Sequence, residues 1–207
     1  IGLSVAGFDA EQIQAQLGRF GIARGVAPTR GQSRLSVAST SWVEQRGAVS
    51  ELFFADREGL IYHLMGDSYC GGNDADGGRC VTLEQSASDG MFSLIDYSHF
   101  TNFLTNRARA NAFYTQAFGK TFQAYQGPGA PVIGVGDGLQ FLMYVGGEED
   151  SVPAVPGRID HVCFSVEDFD VDRILARLTD YGLKPRENPR ETAPFMHWIS
   201  MRMPNRG

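Results

Sequence analysis

The sequence predicts an α+β fold built from repeated βαβββ modules, and three observations predict it. The first is an internal repeat. Residues 1–22, IGLSVAGFDAEQIQAQLGRFGI, lie over residues 162–183, VCFSVEDFDVDRILARLTDYGL, at an offset of 161 with 8 of 22 positions identical, among them Ser4/Ser165, Phe8/Phe169, Asp9/Asp170, Ile13/Ile174 and Gly21/Gly182. The second is that each copy reads as strand, cap, helix and stop. The third is glycine, 25 of 207 residues, which signals many tight turns and therefore many short strands.

The elements follow in order. Asp9 is placed as an N-cap, because a short side-chain oxygen there satisfies a backbone N–H of the first turn. Ile13 and Leu17 then stand at i, i+4 on one helix face, and Gly21 supplies a left-handed stop. Strands are expected near 35–38, 51–55 and 60–65, with a turn at 56–59. A Gly/Ser/Asp-rich linker covers 67–96 and looks exposed. A more divergent copy follows at 98–119, SHFTNFLTNRARANAFYTQAFG, ending in Gly119, with His99 matching His161 at an offset of 62. Arg107 and Arg109 open its helix and are expected to be solvated. Strands at 122–125, 132–135 and 139–145 come next, the last pair joined by Gly136-Asp137-Gly138. After a short linker holding Pro153 and Pro156, the third copy starts at 158, with Asp170 as its cap, Gly182 as its stop and a second strand at 198–203.

Composition excludes several classes. With 43% hydrophobic and 20% charged residues the chain can bury enough apolar surface to fold, unlike a disordered chain. No apolar run approaches the ~20 residues that span a bilayer. A net charge of −6 without a long Lys/Arg run argues against nucleic acid as a partner. The three cysteines are too few for a disulfide scaffold and are not spaced as a zinc site. Cys163 sits in a strand-like run and is expected as a buried thiol. Cys70 and Cys80 flank CGGNDADGGRC, reduced if the protein is cytoplasmic, a disulfide if it is exported; the cytoplasmic reading is favoured. GPGAPVIGVGDG is not followed by a helix, so it is not a nucleotide loop, and no serine nucleophile elbow is present.

The stretches SHFTNFLTNRARANAFYTQAFG, GDGLQFLMYVGG, RIDHVCFSVEDFDVDRILARLTDYGL and ELFFADREGLIYHL resemble the vicinal oxygen chelate superfamily, which includes glyoxalase I, bleomycin-resistance proteins and extradiol ring-cleaving dioxygenases. The resemblance covers nearly the whole chain. It implies that βαβββ modules pair into a curved mixed sheet around a cleft, with a divalent metal held on strand histidines and a glutamate. It further implies two domains: 1–66 as the second half-module of a first, 67–96 as linker, and 97–207 as a second, made of modules 97–147 and 158–207. The start at Ile1 inside a strand, and the odd module count, predict a further module before it.

Four histidines are present, His63, His99, His161 and His197, all in strand-like runs. A lone strand histidine is more often a hydrogen-bonded structural residue than a ligand. Repeat position changes the weighing for His99 and His161, which begin the first strands of consecutive modules. Alternation places His161, Cys163 and Ser165 on one face, and Val162, Phe164 and Val166 on the other, packed on the helix. His99, Thr101 and Phe103 share the face corresponding to His161. Two neutral imidazoles plus a carboxylate suit a divalent cation such as Fe, Mn, Zn or Ni, and the resemblance implies His99 and His161 as its ligands. In glyoxalase-like members a glutamate stands where this chain has Gln140, which is expected on the concave face by alternation with Leu142 and Tyr144. In dioxygenase-like members the carboxylate comes from the final strand of the second module, beyond Gly207. His63 is read as either an altered site or a vestige, the vestige favoured. His197 is a candidate substrate contact, against a surface or edge-strand alternative.

The expected function is a metal-dependent enzyme on a small substrate with two adjacent oxygens, dioxygenase-like ahead of glyoxalase-like. The alternatives are a metal-free small-molecule binder of the bleomycin-resistance kind and a partner-binding pseudoenzyme. Expected partners are the small-molecule substrate and a second copy in a homodimer, with no nucleic acid and no membrane.

Overall fold

A computed structural model describes residues 1–67, 69, 71, 90–188 and 195–198. The chain divides into two compact units, Ile1–Glu84 with Tyr97–Cys163, and Gln85–Asp96 with Phe164–Gly207. Cys70, Cys80 and most of the strand expected at 198–203 lie outside the described residues.

The first unit opens with β1 (Gly2–Val5) and α1 (Ala10–Arg19), followed by β2 (Ala23–Arg24), β3 (Thr40–Arg46), β4 (Val49–Ala55) and β5 (Ile61–Gly66). They form one sheet in the order β1-β5-β4-β3-β2. β1 runs parallel to β5 with Gly2 opposite His63, and β3, β4 and β5 are antiparallel neighbours. Asp9 caps α1 by accepting from the Gln12 N–H at 2.9 Å, and Gly21 ends it at φ +83°. Leu17 is buried, and Ile13 packs on the same core.

One expected strand is corrected. Residues 35–37 lie in a 3₁₀ turn, Arg34–Val37, and Ala38 caps it, so the segment is not a strand. The Ser33 hydroxyl accepts from the Leu35 N–H, and the Ser36 hydroxyl donates to the Ser33 carbonyl. Such local serine bonds compete with extended pairing and defeat the Leu35/Val37 alternation. The strand lies further on, as β3, turning into β4 at Gly47, φ +62°.

The second sheet uses β6 (Leu94–Leu104), β7 (Phe122–Tyr125), β8 (Pro131–Gly134), β9 (Phe141–Gly146) and β10 (Arg158–Val166), in the order β10-β6-β9-β8-β7. Between β6 and β7 lies α2 (Arg107–Ala117), capped by Asn106, whose amide oxygen accepts from the Arg109 N–H at 2.8 Å, and stopped at Gly119, φ +60°. β6 and β9 are parallel, with His99 opposite Phe141.

Within this unit one core joins the two sheets. Leu52, Phe54 and Tyr62 of the first pack with Tyr114 of α2 and with Leu142 and Tyr144 of β9. Buried hydroxyls must be satisfied, and these are: Tyr62 and Tyr144 share a hydrogen bond at 2.6 Å, and the Tyr114 hydroxyl donates to Asp56 at 2.7 Å. Burial raises the pKa of all three phenols. Burial also raises that of Asp56, to about 6, against the donors that face it, the Tyr114 hydroxyl and the Leu60 and Glu58 N–H groups. Nearby, Glu58 accepts from the Thr105 and Asn106 N–H groups at 2.8 and 3.1 Å and from Arg109 at 2.7 Å. Arg109 also meets Asp150 at 2.9 Å, and Arg107 meets Glu148 at 2.6 Å. The two arginines expected to be solvated are therefore ion-paired, because the helix start they occupy faces acids from other segments.

The second unit holds α3 (Val171–Asp180), β11 (Lys184–Pro185) and β12 (Met196–His197). Asp170 caps α3 by accepting from the Arg173 N–H at 2.7 Å, and Gly182 follows it at φ +104°. β11 and β12 pair in parallel, as β2 and β3 do. The bonds match: Ala23 N–H to Ser39 and Gly25 N–H to Ser41, both 2.8 Å, against Lys184 N–H to Phe195 at 3.0 Å and Arg186 N–H to His197 at 2.9 Å. The repeat thus continues in hydrogen bonding beyond the 22-residue identity, with Trp42 and Trp198 in the same place. Val162 and Phe164, expected to pack on the helix, are 37% and 44% exposed, and α3 has no buried side chain among the described residues.

Candidate functional site

His99 and His161 converge. They stand on the adjacent strands β6 and β10, and the two Nε2 atoms are 3.3 Å apart. Each ring is fixed from behind at Nδ1, His99 by the Ser98 hydroxyl at 3.1 Å and His161 by the Asp160 carboxylate at 2.9 Å. His99 also stacks on Phe141, centroids 4.3 Å apart and planes within 10°.

The tautomers follow from the carboxylate. An ionised Asp160 only accepts, so it takes the proton on His161 Nδ1 and leaves a lone pair on His161 Nε2. His99 Nε2–H then donates to that lone pair, and the Ser98 hydroxyl donates to His99 Nδ1. A cation between the rings needs lone pairs on both Nε2 atoms, which His99 supplies by moving its proton to Nδ1, where Ser98 Oγ accepts it. Two nitrogens each ~2.1 Å from one ion and 3.3 Å apart subtend about 100° at it, within the range for adjacent ligands. The donor pair and its outer partners therefore fit a divalent metal. Among the described residues no three His, Cys, Asp or Glu side chains gather as a fuller set.

Ser98 and Asp160 were missed by sequence reasoning, although a signal existed: at the offset of 62 that equates the histidines, each is preceded by a residue bearing a side-chain oxygen.

Gln140 reaches His99 by a different route from the expected one. His99 faces Phe141 across the sheet, while Leu142 and Tyr144 are buried in the core. Alternation with those two residues therefore does not put Gln140 on the His99 face. It stands just ahead of β9, its side chain against Gly138, in space that a Cβ there would fill. From there it lines the same cavity as His99, about 610 Å³, together with Ser98, Gly2, Met65 and Tyr69.

His63 does not join the pair. It stands on β5 in a ladder across three strands, Trp42 opposite Phe53 and Phe53 opposite His63, stacked with centroids 5.7 and 4.2 Å apart. Its Nε2 is 3.7 Å from Glu51, a wholly buried carboxylate on β4. Burial lowers the His63 pKa, partly opposed by Glu51. Burial pushes the Glu51 carboxyl up, but the hydrogen bonds from Arg46 and Tyr69 outweigh it and hold the group below the usual carboxylate range. His197, in the second unit, is buried, with Nε2 2.9 Å from the Thr179 hydroxyl of α3; it is not at a surface. Cys163 is half-buried.

The module order, the parallel first-to-last strand pairing and the helices between them give an α+β fold of the dioxygenase/glyoxalase kind. Among solved structures the chain matches that of BphC, a halotolerant catechol dioxygenase, with a TM-score of 0.51 and 15% identity, over 89% of this chain and 56% of that one. It thus spans little more than half of BphC. An extradiol ring-cleaving dioxygenase from B. fuscum matches at a TM-score of 0.41 and 14% identity, over 68% of this chain and 36% of that one. No protein-family model matches the sequence, and no curated protein does.

Proposed function

We propose that the chain belongs to a metal-dependent enzyme that acts on a small substrate with two adjacent oxygens, with a catechol as the first class to test. The observation that carries this reading is the His99–His161 pair, whose Nε2 atoms stand 3.3 Å apart with both Nδ1 atoms engaged from behind. When bound, the metal would supply Lewis acidity toward two neighbouring substrate oxygens. The chain's own part is to hold the ligand rings, to fix their tautomers through Ser98 and Asp160, and to offer the cavity beside His99. The dioxygenase-like branch is preferred to the glyoxalase-like one because the fold matches a catechol dioxygenase and because Gln140 is a neutral amide.

The test is elemental analysis of the full-length protein, with His99→Ala and His161→Ala, alongside a ring-cleavage assay on catechol. Each variant should lose bound metal while keeping its circular dichroism, since both rings carry little core packing. Undiminished metal in both variants rejects the shared site. One observation favours the metal-free binder as a second reading: an apolar cavity of about 480 Å³ lined by Leu3, Val5, Ile13, Leu17, Phe118 and Val135. Tight binding of an apolar aromatic to metal-free protein, with no turnover of catechol, would move the assignment there.

A further inference from the structure

We infer that Tyr69 is a specificity-determining residue of the His99 cavity and that its ring selects among the ring substituents of an aromatic diol. The inference rests on the enzymatic reading above.

The first observation is placement. The cavity beside His99 is not built from the second sheet alone. Gly2, Met65 and Tyr69 of the first module form part of its wall, opposite Ser98, His99 and Gln140. That wall is close-packed: a Cβ on Gly2 would come 3.2 Å from Met65 Cε, so little room remains behind it.

The second observation is how Tyr69 is held. Glu51 is wholly buried on β4, beside the aromatic ladder, where an apolar side chain would pack without a desolvation cost. The carboxylate faces His63 Nε2 at 3.7 Å, and His63 is the ring that flanks Tyr69. The Arg46 guanidinium grips Glu51 at 3.1 Å through Nε and 3.3 Å through Nη2. The Tyr69 N–H donates to the Gly66 carbonyl at 3.1 Å. His63 packs edge-on against the Tyr69 ring, centroids 5.7 Å apart at 77°. With its backbone bonded and its ring flanked, Tyr69 loses little conformational freedom when a ligand arrives. A fixed aromatic wall discriminates by fit, and one side chain of difference in such a pocket changes selectivity by roughly 10–200-fold.

The experiment uses the full-length protein loaded with Fe(II), and compares kcat/KM for catechol and 4-tert-butylcatechol in wild type, Tyr69→Ala, Tyr69→Phe and Arg46→Lys. Tyr69→Ala should shift the ratio toward the bulkier diol by about tenfold or more, with iron content equal to wild type. Tyr69→Phe keeps the ring that forms the wall, so it should leave the ratio close to wild type. Arg46→Lys, which leaves the Tyr69 ring in place, should likewise leave the ratio close to wild type. An unchanged ratio in Tyr69→Ala, with iron bound and catechol cleaved, overturns the inference and leaves the enzymatic reading standing. If wild type binds no iron and cleaves neither diol, the enzymatic reading fails. Calorimetric binding of the two diols then decides for Tyr69, and equal relative affinities in wild type and Tyr69→Ala overturn its role.

Discussion

Replacing Asp56 by Asn should remove a pH dependence from the stability of the first unit. Asp56 Oδ1 accepts from the Glu58 and Leu60 N–H groups at 2.8 and 2.9 Å, and Oδ2 accepts from the Tyr114 hydroxyl at 2.7 Å. Burial still wins, and the pKa rises from 3.8 to about 6. An acid whose folded pKa is raised binds its proton more tightly in the folded state, so its stabilisation is complete below about pH 4 and is lost as pH rises through about 6. Two pKa units correspond to about 3 kcal/mol. Asn keeps the oxygen that serves the two backbone donors and carries no charge at any pH. It turns the Tyr114 bond around, at a cost of about 1 kcal/mol. Urea unfolding of both proteins at pH 4, 5, 6 and 7 measures the difference. Wild type should gain about 3 kcal/mol relative to Asp56→Asn between pH 7 and pH 4. Parallel stability curves would refute the reasoning, because they would mean that Asp56 titrates alike in the folded and unfolded chain.

Two other outcomes are expected. Asp160→Asn removes the carboxylate that sets the His161 tautomer, and should weaken metal affinity by roughly 10–100-fold, measured by chelator competition on the full-length protein. Tyr62→Phe and Tyr144→Phe each strand a buried hydroxyl and should destabilise by about 1–3 kcal/mol, whereas the double variant should lose less than their sum; additive losses in a double-mutant cycle would contradict the shared bond.

Much of the fold was legible because the repeat marks it twice. Asp9 and Asp170 cap their helices as expected, and Gly21, Gly119 and Gly182 all adopt positive φ. The histidine pair was legible for the same reason: equivalence between His99 and His161 said more than either residue alone. What stayed hidden depends on distant partners. Nothing local marks Tyr62 and Tyr144, 82 residues apart, as one hydrogen-bonded pair. Arg109 reads as a solvated helix residue until Glu58, 51 positions earlier, is known to face it. The 3₁₀ turn was missed because Leu35 and Val37 alternate like a strand, while the serines around them satisfy the backbone locally. The place of Gln140 depends on a cross-strand partner as well: His99 faces Phe141, and Gln140, just ahead of β9, lines the same cavity.

The tyrosine seam separates two meanings of a part. By descent, the chain is cut at its repeat boundaries, and each module is a copy. By packing, the helix-side surface of the second sheet is finished by the first module, with Tyr62 and Asp56 supplying the partners that Tyr144 and Tyr114 require. A fragment beginning at residue 97 would therefore present Tyr114, Leu142 and Tyr144 to water with two phenols stripped of their neighbours. Ancestry and cooperativity thus draw different lines through the same polypeptide. Two copies that share a core share its polar accounts as well: removing the hydroxyl of Tyr62 leaves that of Tyr144 without its partner.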